Sequence, residues 1–133
     1  DIVRARFDDA RIHFALNCAS ASCPQLPRRA FRGDELDDSL DRETRTFVGA
    51  GRNVHIDDEN RELQLSSIFQ WYEEDFEAAV EHPMAVEHGA VLEFIASYLP
   101  KADAARLRQA AGTYAVVFLP YDWALNDQQL SPR

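Results

Sequence analysis

Ile12-His13-Phe14-Ala15-Leu16-Asn17-Cys18-Ala19-Ser20-Ala21-Ser22-Cys23-Pro24 is the stretch on which the reading of this chain turns. Ile12, Phe14 and Leu16 alternate with His13, Ala15 and Asn17, so residues 12–18 predict a buried strand. The strand ends on Cys18, and four small residues separate Cys18 from Cys23. Both cysteines of the protein lie here. Such a pair can be a staple, a redox couple, or a nucleophile with a structural partner. Pro24 and Pro27 continue the stretch as an ordered loop as far as Arg32.

The spacing leaves these alternatives open. A short loop of small residues can bring two Cα atoms within disulfide range. A closed loop of this size contributes about 2 kcal/mol on the chain-entropy view, and it requires an oxidising compartment. Redox couples usually have two intervening residues and a following helix, which four residues and a Pro-rich continuation fit poorly. Structural or reactive free thiols are the other readings. Ser20 and Ser22 add hydroxyls to the loop, with no Gly-x-Ser-x-Gly elbow around them. Asn17, Ser20 and Ser22 are therefore candidate loop-site residues beside the disulfide candidates Cys18 and Cys23.

Working outward, a helix is expected from Asp34, an acceptable N-cap followed by acids in the first turn. Leu36, Leu40, Thr44, Phe47 and Val48 share one face of it, and Gly49 and Gly51 end it. Residues 53–56 and 62–66 read as a hairpin about the turn at 57–61. Ser67 opens a second helix with Gln70 three residues on, its apolar face running from Ile68 to Val80. His82-Pro83 starts a third helix, 101–111 is a fourth closed by Gly112, and 114–119 is an apolar strand. The expectation is one α+β domain over 1–133, with about four strands, four helices and a polar tail at 128–133.

The 133 residues suffice for one core. Eight Phe, four Tyr and two Trp give ample surface to bury, which argues against disorder. The net charge of −9 argues against nucleic acid as a partner. Arg28, Arg29 and Arg32 nonetheless cluster after the cysteine pair and form an anion-binding candidate. No apolar run approaches the length of a membrane span. Gly-rich phosphate loops are absent and the histidines lack metal-ligand spacing, so no cofactor or metal is expected. The partner is read as an unspecified protein or small molecule.

His13 could serve a nucleophile, but on a strand it faces away from Cys18, with Cα atoms about 16 Å apart. Asp122, after the apolar strand, could orient a histidine or cap the following turn. His13, Cys18 and Asp122 are thus the catalytic candidates. His55 is expected to face solvent, and the Glu73-Glu74-Asp75 cluster to form a solvated helix face.

Ile12 to Cys18 followed by Ser22-Cys23-Pro24, the segment Leu65-Ser66-Ser67-Ile68-Phe69-Gln70-Trp71-Tyr72-Glu73-Glu74-Asp75-Phe76, and the closing Leu119-Pro120-Tyr121-Asp122-Trp123-Ala124-Leu125-Asn126 together resemble the domain of unknown function 547 family. The helix beginning Asp34-Glu35-Leu36 fits the same order. The resemblance covers nearly the whole chain and the later two-thirds or so of the family's domain. A preceding helical portion is expected to be missing. Bacterial members of the family often look exported, which implies an extracytoplasmic, periplasmic or secreted, setting. Its plant members keep the position of Cys18 and carry Ser at that of Cys23, which raises Cys18 and Ser22 as site residues. The family layout is also similar to papain- and transglutaminase-like thiol hydrolases. Two functions follow as expectations. One is an extracytoplasmic binding or interaction domain with a cysteine-pair loop. The other is a thiol- or histidine-dependent hydrolase or transferase around His13, Cys18 and Asp122.

Overall fold

A computed structural model describes residues 2–126. The polar tail expected at 128–133 lies outside the described residues. The elements run α1 (Ile2–Arg6), α2 (Ile12–Ala15), a 3-10 turn (Gly33–Glu35), α3 (Leu36–Gly49), β1 (Val54–Asp57), β2 (Glu62–Ser66), α4 (Ser67–Trp71), α5 (Glu73–Ala79), α6 (Gly89–Tyr98), α7 (Lys101–Ala110) and β3 (Ala115–Leu119). This is an α+β fold with a three-stranded sheet in the order β1-β2-β3.

The hairpin forms as expected. β1 pairs antiparallel with β2, Val54 opposite Leu65 and Asp57 opposite Glu62. β3 returns parallel to β2 after four helices, with Leu65 opposite Phe118. β2 is therefore the central strand, and its Leu63 and Leu65 are fully buried. The core closes over them with Phe14, Phe47, Phe69, Phe76, Val91, Leu92, Ile95 and Leu107. Phe14 sits among four other rings, with centroids 4.7 Å from Phe47, 5.9 Å from Phe69, 6.0 Å from Phe76 and 6.2 Å from Phe94. Offset rings at these separations add dispersion and quadrupole attraction to the area they bury.

The stretch 12–18 departs from the expected strand. Ile12, His13 and Phe14 are buried consecutively in a single helical turn, and the backbone is extended only from Leu16. Asp9 starts the turn, its carboxylate accepting the Arg11 N–H at 2.9 Å and its carbonyl the Ile12 N–H at 3.2 Å. Side-chain capping by Asp favours this local turn over a sheet ladder. An alternation of only five residues does not separate the two states. The sheet consequently has three strands where about four were expected.

Three helix starts also shift. Asp34 lies within the 3-10 turn, and the α3 N-cap is Glu35, with no side-chain cap bond. Ser66 caps α4, its hydroxyl accepting the Ile68 N–H at 3.3 Å, while the Ser67 hydroxyl donates to the Leu119 carbonyl and ties α4 to β3. Residues 82–88 are irregular, and the helix expected from His82-Pro83 begins as α6 at Gly89. A Cβ at Gly89 would lie 1.9 Å from the Met84 carbonyl oxygen, so the loop can close on the helix only over a glycine. His88 precedes it at φ 56° and its Nδ1 meets Glu73 at 2.5 Å. Glu73 thereby holds the loop to α5 instead of forming part of a solvated face.

Arg11 binds α2 to α3. Its guanidinium meets Asp9 at 2.7 Å, Asp41 at 2.7 Å and Asp37 at 2.6 Å. These acids raise the Arg11 pKa further above its ordinary value, Asp9 contributing most, against the opposing effect of burial.

Candidate functional site

The loop after α2 places the cysteines. Asn17 shapes it from inside: its Oδ1 accepts the Ala19 N–H at 2.9 Å and its Nδ2 donates to the Pro24 carbonyl at 2.7 Å. Ala19 takes a positive φ of 62°, which reverses the chain. The loop is then sewn to the segment following β3. Ala21 N–H donates to Ala124 O at 2.8 Å, Ser22 N–H to Asp122 O at 3.2 Å, and Asn126 N–H to Ala19 O at 2.8 Å. Ser22 Oγ accepts the Asp122 N–H at 2.8 Å. The backbone donors and acceptors of a surface loop are thus satisfied by protein, which gives the cysteines a defined geometry.

Within this frame the Cys18 and Cys23 sulfurs lie 2.7 Å apart, both as free cysteines. Cys18 is exposed and Cys23 is buried. Cys23 Sγ also accepts the Cys18 backbone N–H at 2.8 Å. Cys18 Sγ meets Ser20 Oγ at 3.1 Å and Tyr121 OH at 3.4 Å, and those two hydroxyls meet each other at 2.9 Å. Burial works against the Cys18 thiolate, but hydrogen bonds from Cys23, Ser20 and Tyr121 outweigh it and lower its pKa to about 7. Burial raises the Cys23 pKa, and the neighbouring Cys18 raises it again. Burial raises that of Tyr121 too, with Cys18 adding to it. The exposed thiol of the pair is thus shifted toward the thiolate and the buried one away from it.

Tyr121 also belongs to an aromatic ledge. Its ring centroid lies 4.9 Å from that of Trp71 and 4.5 Å from that of Trp123, and the two indoles lie 5.8 Å apart at 22°. Trp71 is 47% exposed, Trp123 71% and Leu125 76%. Leu125 bridges Ser20, so this apolar surface continues directly from the cysteine loop.

His13 occupies a different cluster. Its Nε2 lies 2.7 Å from Asp75 Oδ2, and its ring stacks on Tyr72 at 3.9 Å. Arg4 grips the same carboxylate with bonds of 2.7 Å and 2.9 Å, and its guanidinium lies 5.4 Å from the Tyr72 centroid. Desolvation lowers the His13 pKa, opposed by Asp75. Arg4, aided by His13, holds the Asp75 carboxyl below the usual range against its own desolvation. Asp75 was expected on a solvated face. Its i+3 relation to Tyr72 and adjacency to Phe76 were the signals that it borders the apolar stripe.

Among the described residues no hydrogen bond joins His13 to Cys18 or Asp122. Asp122 Oδ1 accepts the Ala124 N–H at 2.9 Å, the capping role. Cys18, Ser20 and Cys23 do converge, with Tyr121 joining them from 103 residues away, while Asn17 shapes the loop through Pro24 and Ser22 meets Asp122. Arg28 and Arg29 are exposed, and Arg32 lies 3.6 Å from Asp34. His55 is exposed on β1. A separate groove of about 730 Å³ opens between Arg11, Asp41, Glu81, Glu93 and Tyr98, and none of the candidate site residues lines it. No helix among the described residues is long and apolar enough to cross a membrane.

Neither a curated protein nor a solved structure matches the chain. A family match covers residues 2–48, spanning α1, α2, the cysteine loop and all but the last residue of α3, while the stretches 65–76 and 119–126 lie beyond it. Over that stretch the chain is similar to the family described as "Protein of unknown function, DUF547".

Proposed function

We propose that the chain is a binding or interaction domain of an extracytoplasmic protein, with its partner surface built on the Cys18–Cys23 loop and the ledge of Trp71, Tyr121 and Trp123. The observation that carries this reading is the shared residue Tyr121, whose hydroxyl meets the loop and whose ring packs tilted against the two exposed indoles. Exposed Trp rings packed against a half-buried Tyr lose little conformational entropy on binding, and such aromatics dominate the energetics of protein interfaces. The surface is a ledge, which suits a protein segment better than an enclosed small molecule. The acidic balance of the chain favours a neutral or basic one. In an oxidising compartment the touching sulfurs close into a staple that fixes the loop beneath the ledge.

A random-peptide display selection against the folded domain tests this. Peptides whose affinity falls about tenfold or more on Trp123→Ala, with the melting temperature unchanged, support the ledge. Selected peptides indifferent to Trp123→Ala and Trp71→Ala remove it. Both thiols reacting in protein prepared without reductant would remove the staple.

The second reading, a thiol-dependent hydrolase or transferase centred on Cys18, draws on the lowered pKa of that thiol. Its general base would have to be other than His13, whose Nε2 is engaged by Asp75. Acylation of Cys18 by activated esters, followed by turnover, is the corresponding measurement.

A further inference from the structure

We infer that Cys18 and Cys23 form a thiol–disulfide exchange centre, with Cys18 as the attacking thiol and Cys23 as the resolving thiol, and that its substrates are low-molecular-weight disulfides and dithiols. The inference rests on the reading above that the pair closes, and it goes beyond that reading in making the bond exchangeable.

Three features of the geometry support it. The first is asymmetry: Cys18 is open to solvent and Cys23 is 4% exposed, so an incoming disulfide meets one sulfur and not the other. The second is contact: the sulfurs are 2.7 Å apart, so a mixed disulfide on Cys18 has its resolving group already beside it. Effective concentrations for groups held this way are far above those of free thiols in solution. The third is a linked pair of hydroxyls beside the attacking sulfur. Ser20 Oγ and Tyr121 OH lie within 3.4 Å of Cys18 Sγ and 2.9 Å from each other, so one hydroxyl can donate to the other and the second to the thiolate. An inert staple needs none of the three, because a structural disulfide is shielded on both sulfurs and has no use for thiolate stabilisation.

The steps balance as ordinary exchange. The Cys18 thiolate attacks one sulfur of a small disulfide, and the S–S bond of that reagent breaks. One thiolate leaves and takes a proton, and Cys18 carries the mixed disulfide. Cys23 gives up its proton and attacks Cys18 Sγ, and the second thiolate departs with that proton. The Cys18–Cys23 bond forms, and the two electrons of the pair now reside on two molecules of small thiol. A dithiol reverses the sequence by attacking exposed Cys18 first.

The test uses the whole chain, reduced and then freed of reductant. Oxidised glutathione is added near pH 7, the reaction is quenched in acid, and intact and peptide masses are read. The expected result has three parts. Wild type loses two hydrogens with no lasting adduct, Cys23→Ser accumulates one glutathione on Cys18, and Cys18→Ser leaves Cys23 unmodified. Cys18 should also react at least about fivefold faster in the folded chain than in the urea-unfolded chain. If Cys23→Ser does not fold, rapid quenching of the wild type gives the same assignment, because the transient adduct must map to Cys18. Closure of the pair without capture on Cys18, or a closed pair that reduced glutathione reopens only after unfolding, overturns the exchange centre and leaves the staple. Two thiols that stay reduced throughout overturn both.

Discussion

Tyr121→Phe isolates one hydroxyl of the cysteine site. Its OH lies 3.4 Å from Cys18 Sγ and 2.9 Å from Ser20 Oγ, so the change deletes one of the two hydroxyls that can donate to the thiolate and leaves the ring in the ledge. A hydrogen bond to a charged group contributes about 1.5–3 kcal/mol. The contact is long and solvent-exposed, so the lower end applies, about one pKa unit at 1.36 kcal/mol per unit. The Cys18 pKa should therefore rise from about 7 toward an unperturbed thiol. Near pH 7 the thiolate fraction falls from about one half to about one tenth, while the remaining thiolate gains about threefold in intrinsic reactivity. The net rate near pH 7 drops about twofold, and the plateau at high pH rises about threefold, so the two profiles cross. The assay is the pseudo-first-order reaction of reduced protein with excess dithiodipyridine, followed by release of the chromophore across pH 5–10 or so. A midpoint in Tyr121→Phe identical to that of wild type would refute the assignment of Tyr121 as a donor to Cys18. Ser20→Ala should move the midpoint in the same direction.

Four further outcomes follow from the fold. Phe14→Ala empties the centre of the ring cluster and should cost about 3–5 kcal/mol in urea unfolding; a loss below about 1 kcal/mol would mean that α2 is not a core element. Gly89→Ala drives a Cβ into the Met84 carbonyl and should destabilise by about 1–3 kcal/mol, whereas Gly51→Ala, with open space around it, should change the melting temperature little. Arg11→Ala leaves Asp9, Asp37 and Asp41 facing one another, and an expected loss of about 1–3 kcal/mol should shrink in high salt; salt-independent loss would point to packing alone. Acid stability tests the His13 cluster. The folded pKa of His13 is below its unfolded 6.5, so the unfolded chain binds more protons and stability falls as pH drops through 6.5. Asp75, also lowered, adds a second loss below 3.8 as pH falls toward its folded value. Asp75→Asn should shrink the lower limb, to which Asp9 also contributes through Arg11, and keep the upper one, read as urea midpoints against pH.

The hairpin, the ends of α3 and α7, and strand β3 were legible because each is set locally, by alternation, by glycine after a helical run, or by a charged turn. The cysteine loop was legible as a candidate for the same reason: small residues, two prolines and two thiols lie within the ten positions from Cys18 to Pro27. Residues 12–16 were not. The same five side chains satisfy a strand and a helical turn, and the choice falls to Asp9 capping the turn and to Phe14 having four rings to meet. The partners of the candidate residues were hidden more deeply. His13 is paired with Asp75 across 62 residues, and Cys18 with Tyr121 across 103. The sequence by itself determined which segments carry apolar faces, where turns must fall, and that both thiols share one loop, since those are short-range properties of the chain. Only the tertiary structure decided which acid meets which base and which hydroxyl meets which sulfur, because those contacts arise when helices and sheet bury a common core and bring distant side chains to within a few ångströms.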